Sequence, residues 1–200
     1  MNISSAALDS FGPDWVARVR SGDREAFEAM AEAYYERLVR YAYTFVRDVA
    51  VAEDVVQDIL LALWLGREQF AVRSALSGYL FKAVRNRALN HIRHERAQER
   101  LEERLSAHGD PDILLSTQAQ TPSESDEDDE EAACATRVAA VQQAVAALSQ
   151  RQAEAFRLRI EHGLSFSEVA VVMGLSLRSA ETTYQRAVKT LREQLAPYVS

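Results

Sequence analysis

Along the first hundred residues, apolar side chains recur three and four positions apart rather than at every second position, the spacing that gathers them on one face of an α-helix. From Asp23, a good N-cap, the residues Phe27, Met30, Ala31, Tyr34, Leu38, Tyr41, Ala42 and Phe45 fall on one side, which predicts a long amphipathic helix. A shorter helix over about Pro13 to Arg20 precedes it. Another is expected from about Val51 to Trp64, with Val55, Val56, Ile59, Leu60 and Leu63 inward and Gly66 at its end, and a fourth from about Leu76 to beyond Arg96. Trp64 reads as core before contact, because Trp is so often buried. After residue 135 the pattern resumes with a helix over Arg137 to Ala147. Ser149-Gln-Arg-Gln152 and Ser165-Phe-Ser-Glu168 then each set a hydroxyl at an N-cap and Gln or Glu three residues on, the capping-box form. The second box opens a short helix to Met173. Gly174-Leu-Ser176 follows, and then a long helix from Leu177 to about Leu195, stopped before Pro197; short helix, glycine turn and longer helix make a helix-turn-helix. No strand alternates with these helices, which excludes a nucleotide-binding βαβ unit. The fold expected is all-α, with two small domains: four helices over 13–104 and a helix-turn-helix over 136–197.

Composition agrees with helix. The 200 residues include 4 Pro and 7 Gly, few breakers for so much Ala, Leu, Arg, Glu and Gln. The single cysteine, Cys134, can form no internal disulfide or Cys-based metal cluster, and it fits a reducing compartment, so the cytoplasm is expected. Met1 to Ser10 has no basic segment or apolar core of an export signal, and no stretch approaches the ~18 apolar residues of a membrane span; no membrane insertion is expected.

Charge changes the picture, because the net -7 is unevenly spread. Residues 1–104 carry 15 basic and 16 acidic side chains, residues 105–135 carry 0 and 9, and residues 136–200 carry 8 and 5. The middle stretch holds Gly109, Pro111 and Pro122 and ends in Ser123-Glu-Ser-Asp-Glu-Asp-Asp-Glu-Glu131, a run that repels itself and offers nothing to a core. It reads as a flexible acidic linker over 105–135, leaving a C-terminal segment that is net basic.

Two helix faces concentrate that basic charge. On the helix from Leu177, Arg178, Thr182, Gln185, Lys189 and Arg192 fall within roughly 80° of arc. Leu177, Ala180, Tyr184, Ala187, Val188, Leu191 and Leu195 fall on the other side. The polar face offers cations, an amide and a hydroxyl, groups that bind phosphates and base edges in the major groove, on the second helix of a helix-turn-helix. On the fourth helix, Lys82, Arg85, Arg93, Arg96 and Arg100 also share roughly 80°, interrupted by Leu89. Tyr79, Asn86 and Asn90 lie beside this stripe, and cations with an aromatic ring and amides suit nucleic acid, unpaired bases included. Asp54, Gln57 and Asp58 stand together opposite the apolar side of the third helix, by themselves a solvated face. No enzyme is indicated: His91, His94, His108 and His162 have no credible metal-ligand set, and there is no phosphate loop or nucleophile elbow. No cofactor or metal is expected.

Together these motifs resemble a known family. Ala52-Glu-Asp-Val-Val-Gln-Asp-Ile-Leu60 with Trp64, the segment Leu76-Ser-Gly-Tyr-Leu-Phe-Lys-Ala-Val-Arg-Asn-Arg-Ala-Leu-Asn-His-Ile-Arg93, then Leu148-Ser-Gln-Arg-Gln-Ala-Glu-Ala-Phe-Arg-Leu-Arg159 and Gly163-Leu-Ser-Phe-Ser-Glu-Val-Ala170 resemble bacterial RNA polymerase sigma factors of the extracytoplasmic-function (ECF) group, in the sigma-70 family. Both domains match in the family's order. The resemblance implies a protein that binds core RNA polymerase and directs promoter recognition, DNA melting and transcription initiation. It implies that Asp54, Gln57 and Asp58 belong to the surface for the clamp helices of the largest polymerase subunit, which replaces the solvated-face reading. The flap of the second-largest subunit is an implied partner of the C-terminal domain, and an anti-sigma factor is also suggested. The loop from Arg67 to Gly78 and the following helix, with Tyr79, Lys82, Arg85, Asn86, Asn90, Arg93 and Arg96, would melt and read the minus-10 promoter element. The helix-turn-helix from Ser165 to Lys189, with Arg178, Ser179, Thr182, Gln185, Arg186 and Lys189, would read the minus-35 element. Glu181 stands where the family often has a basic residue, and Asn90 where it often has Asp. The alternative is a regulator that binds duplex operators without polymerase, since residues 148–192 alone also resemble the LuxR-type output domain; the helical first domain speaks against it. An antagonist of sigma factors would leave both basic faces unexplained.

Overall fold

The computed structural model describes residues 11, 13–69, 75–106 and 143–196, and among them every regular element is a helix. Helix α1, Pro13–Arg20, begins on the proline, whose missing N–H costs nothing at a first helical position. Helix α2, Arg24–Val46, is capped as expected: an Asp23 carboxylate oxygen accepts from Ala26 N at 3.0 Å while the other takes Arg18 Nε at 2.7 Å. Its buried face is Ala26, Met30, Tyr34, Leu38, Tyr41 and Ala42, with Phe27 and Phe45 packed at the margin. Arg47, in the left-handed region with φ 60°, turns the chain, and Asp48 caps helix α3, Val49–Leu65, two residues earlier than the apolar spacing suggests. Gly66 ends α3, and a 3₁₀ turn over Arg67–Gln69 follows. Helix α4 runs for 31 residues, Leu76–Ser106, so it takes in the first two residues assigned to the linker. The rest of 105–135, with its acidic run and Cys134, lies outside the described residues.

In the second domain residues 143–146 are helical, and the part of the Arg137–Ala147 helix before them lies outside the described residues. Helices α5, Gln150–Ile160, and α6, Phe166–Met173, each start on a complete capping box, at Ser149 and Ser165. Gly174, with φ 65°, makes the left-handed turn into α7, Leu177–Leu195. Leu177, expected on the apolar side, is 50% exposed, because it is the first residue of α7 and the helix first meets its neighbours at Ala180.

The two domains pack against each other. One apolar core runs from Trp15 and Val19 through α2, α3 and α4 into Ala155 and Leu158 of α5, Leu164, four residues of α6, and Ala180. Phe81 and Tyr41, both essentially inaccessible, pack on each other and also on the His162 ring of the second domain. Ala144, Leu148, Ala153, Ala187 and Leu191 form a smaller cluster within the second domain.

Candidate nucleic-acid interface

Helix α7 leaves Arg178, Ser179, Thr182, Gln185, Arg186 and Lys189 exposed, because its apolar residues Ala180, Ala187 and Leu191 are spent on the core. Its first turn is held by Ser176, which accepts from Ser179 N at 3.2 Å, and Thr182 Oγ1 donates back to Arg178 O at 2.7 Å. Arg178, Ser179, Thr182 and Arg186 line a basin of about 520 Å³ with Ser149, Arg151 and Gln152 from the start of α5. Two helix N-termini therefore border one hollow with three arginines, an arrangement that favours anions through helix dipoles and full charges together. Gln185 and Lys189 stand on the same exposed helix outside the basin, Lys189 with Glu193 at 3.8 Å. Arg151 is a member that sequence reasoning missed; its signal was its place inside the Ser149 capping box, on the first turn of a helix.

On α4, Tyr79, Lys82, Asn86, Asn90, Arg93 and Arg96 are exposed, and Arg93 Nη1 donates to Asn90 Oδ1 at 2.7 Å. Arg85 differs. It is half-buried, and its Nε donates at 2.6 Å to Oε1 of Glu154 on α5, the same oxygen that accepts from Tyr41 Oη at 2.9 Å. Burial pushes the Tyr41 phenol well above its ordinary range, and the neighbouring Glu154 charge adds to this. Tyr79 also borders a hollow of about 410 Å³ with Ile59, Ala62, Leu63, Gly66, Gln69 and Ala83, between α3 and α4. Half-buried Trp64 packs on Phe27 at 5.1 Å between ring centroids, with the Arg67 guanidinium 4.7 Å over its ring, so it serves the core and the turn after α3.

Asp54, Gln57 and Asp58 are exposed on α3. Asp58 pairs with Arg87 of α4, a cation that falls outside the basic stripe, and Gln57 Nε2 lies 3.4 Å from Tyr35 Oη. Asp54, Asp58 and Arg87 line a groove of about 450 Å³ with Asn90, His91 and His94, so the acidic face of α3 borders a side of α4 that carries a cation, an amide and two imidazoles.

Between the domains lie residues to which sequence reasoning gave no role. Buried Glu154 is one. His162, 3% exposed, sits against the rings of Tyr41 and Phe81 at 5.5 and 4.9 Å, with neither ring nitrogen hydrogen-bonded. Burial, and then the charges of Arg37, Arg40 and Arg157, push its pKa down to about 3. Arg37 Nη2 donates to the His162 carbonyl, and the Ser77 hydroxyl to Glu168 Oε1. Burial alone raises the Glu168 carboxyl, but hydrogen bonds from Ser165 and Ser77 outweigh it and hold the group below its usual range.

The family model for Sigma-70 region 2 matches residues 30–98, and that for Sigma-70, region 4 matches residues 139–191, together more than half of the chain. The chain is 20% identical over 181 residues to the ECF RNA polymerase sigma factor SigW of Bacillus subtilis, covering 90% of this chain and 94% of the relative. Its fold is similar to that of CnrH in complex with the cytosolic domain of CnrY, with TM-score 0.59 and 24% identity over 93% of this chain and 97% of CnrH. It is also similar to the sigma factor RpoE in complex with the anti-sigma factor NepR from Bartonella quintana, with TM-score 0.51 and 24% identity over 85% and 96%. The helical first domain that carries region 2, in sequence before the helix-turn-helix of region 4, places this chain in the sigma-70 family as an ECF sigma factor, a protein of promoter recognition and transcription initiation.

Proposed function

We propose that the chain acts without catalytic chemistry of its own, binding core RNA polymerase in the cytoplasm and delivering it to promoters read by α4 and α7. The division follows the domains: 13–104 takes the polymerase and the minus-10 element, 136–197 takes the minus-35 element, and 105–135 is the spacer. The observation that carries this reading is the α5/α7 basin. Arg151, Arg178 and Arg186 line one basin at the starts of α5 and α7, beside exposed Ser179, Thr182 and Gln185, so phosphate positioning and base reading are offered on one surface. The exposed Tyr79, Lys82, Asn86, Asn90, Arg93 and Arg96 on α4 supply cations, amides and a ring for a melted strand. Asp54, Gln57 and Asp58 supply an acidic face for the polymerase clamp helices, and the second domain would meet the flap of the second-largest subunit. An anti-sigma factor belongs among the partners on the strength of the Bartonella quintana complex. That no helix among the described residues is long and apolar enough to cross a membrane is compatible with the cytoplasmic site of action. The test is reconstitution: purified chain plus core polymerase initiates RNA synthesis on DNA upstream of its own gene, where core polymerase alone does not. Tight, sequence-selective duplex binding by the chain without polymerase, at physiological salt and with no initiation, would favour the operator-binding alternative.

A further inference from the structure

One exposed residue near the reading face of α7 has no use in phosphate binding. Glu181 lies in the N-terminal half of the helix, the part of a recognition helix that meets base edges. At 100° per residue it falls about 60° from Arg178 and about 40° from Gln185, on the side away from Ser179 and Arg186 of the anion basin. Among the described residues no cation pairs with it, and Lys189 is turned to Glu193 instead. A bare carboxylate set against a row of phosphates is repelled, so only a base edge of the duplex can take it.

In the major groove the hydrogen-bond donors are cytosine N4 and adenine N6, whereas guanine and thymine present acceptors that a carboxylate repels. Adenine sets its N7 acceptor beside N6. Cytosine presents its donor alone, so it is the base that a carboxylate selects. Nearby groups on α7 do not duplicate this. Thr182 and Thr183 donate their hydroxyl hydrogens to the carbonyls of Arg178 and Ser179, each at 2.7 Å. Arg178 brings donors only, and the Gln185 amide pairs a donor with its acceptor.

We propose that Glu181 is a specificity-determining residue of this chain, accepting a hydrogen bond from cytosine N4 in the upstream element and rejecting the other three bases at that position. The inference rests on the reading of α7 as the minus-35 reader, and it adds to that reading one base and the side chain that chooses it. Glu181 follows Arg178 by about 4.5 Å along the helix axis, little more than one base step of about 3.4 Å. The cytosine therefore lies in the base pair that Arg178 meets or in one beside it.

The full chain with core polymerase can be made to choose its own DNA. Templates carrying a randomised upstream element, each with a matching barcode in the transcribed region, are transcribed in competition and the RNA is sequenced. The parent is expected to favour cytosine at one position about tenfold or more over each other base, as a good base contact does. Glu181→Gln should move the preference at that position alone from cytosine to adenine, whose N6 and N7 match a Gln amide, and Glu181→Ala should erase it. Both variants should keep the helical circular dichroism of the parent, because the side chain is exposed. Selectivity with no cytosine position in the parent, or a preference that stays on cytosine in Glu181→Gln, overturns the proposal. So does an equal rise in transcription from all templates in both variants, the mark of a carboxylate that only repels phosphate. Arg178→Ala and Gln185→Ala on the same library separate the two levels of the argument. If they alter base preference and the Glu181 variants do not, the cytosine assignment alone fails. If no variant on α7 alters it, the reading of α7 fails and this inference falls with it.

Discussion

At the residue scale, the most exacting environment belongs to His162. It is folded as a neutral ring, without a hydrogen bond on either nitrogen, beside Arg37, Arg40 and Arg157. In the unfolded chain the imidazole protonates as the pH falls through about 6.5, whereas in the folded chain it resists until about 3. Between these values the unfolded state binds more protons, so stability falls as the pH falls, by at most about 1.4 kcal/mol per pH unit, and is flat above the window. Denaturant unfolding at pH 7.5, 6.5, 5.5 and 4.5 should show this slope, and His162→Phe should flatten it. An unchanged slope in His162→Phe would assign the effect to other groups. Glu168 and Asp23, both held below the ordinary carboxylate range, add their own losses only at lower pH. The capping serine Ser165 is a simpler case. It accepts from Glu168 N at 3.3 Å and bonds the Glu168 side chain, so Ser165→Ala should cost about 1 kcal/mol of stability, measured by the same unfolding curves.

At the scale of elements, helix after helix follows from local signals in the sequence. Asp23, Ser149, Ser165 and Ser176 cap where their side chains can reach the free N–H groups, and Gly66 and Gly174 end helices as expected. These choices rest on bonds within four residues, so no distant partner can overrule them easily. The start of α3 is the exception: Asp48 caps it, and the apolar period alone placed it two residues later. On α7 the polar arc translates into exposed side chains, and it frames a graded prediction. Arg178→Ala or Gln185→Ala should lower initiation on the preferred upstream sequence by ~1–3 kcal/mol of selectivity if the side chain bonds a base edge. Lys189→Ala should weaken all sequences alike and reduce the salt dependence, as a phosphate contact does. Competition transcription with variant upstream elements separates the two behaviours; selectivity unchanged in all three variants would remove α7 as the reader. On α3, reversing Asp54 and Asp58 to Lys together should abolish retention of core polymerase while leaving helical circular dichroism intact. Exposed charges add little to stability, but like charges facing each other across an interface are costly. Normal retention would move the polymerase surface elsewhere.

At the scale of the whole molecule, the sequence was legible up to the domain and not beyond it. Glu154 stands 113 residues from Tyr41 and 69 from Arg85, and nothing local in Ala153-Glu-Ala155 says which surface it meets. Its signal was faint: a carboxylate among small apolar residues on a helix whose neighbours Ala153, Ala155 and Leu158 are all buried. Tyr41 reads from the sequence as ordinary core of the first domain, and it is that, but its ring and that of Phe81, to which sequence reasoning gave no role, also close on His162. A core shared in this way ties the two domains into one folding unit, because neither can be exposed without uncovering apolar surface of the other. The full chain should therefore unfold in a single calorimetric transition at low concentration. Phe81→Ala removes a fully buried ring from the junction and should cost about 3–5 kcal/mol. It should also loosen the second domain, so that the single transition broadens or divides into two. Two transitions in the parent chain would mean that the domains fold independently and that the junction contributes little to either; a single, sharp transition in Phe81→Ala, merely shifted down, would mean that the ring stabilises its own domain without coupling it to the other.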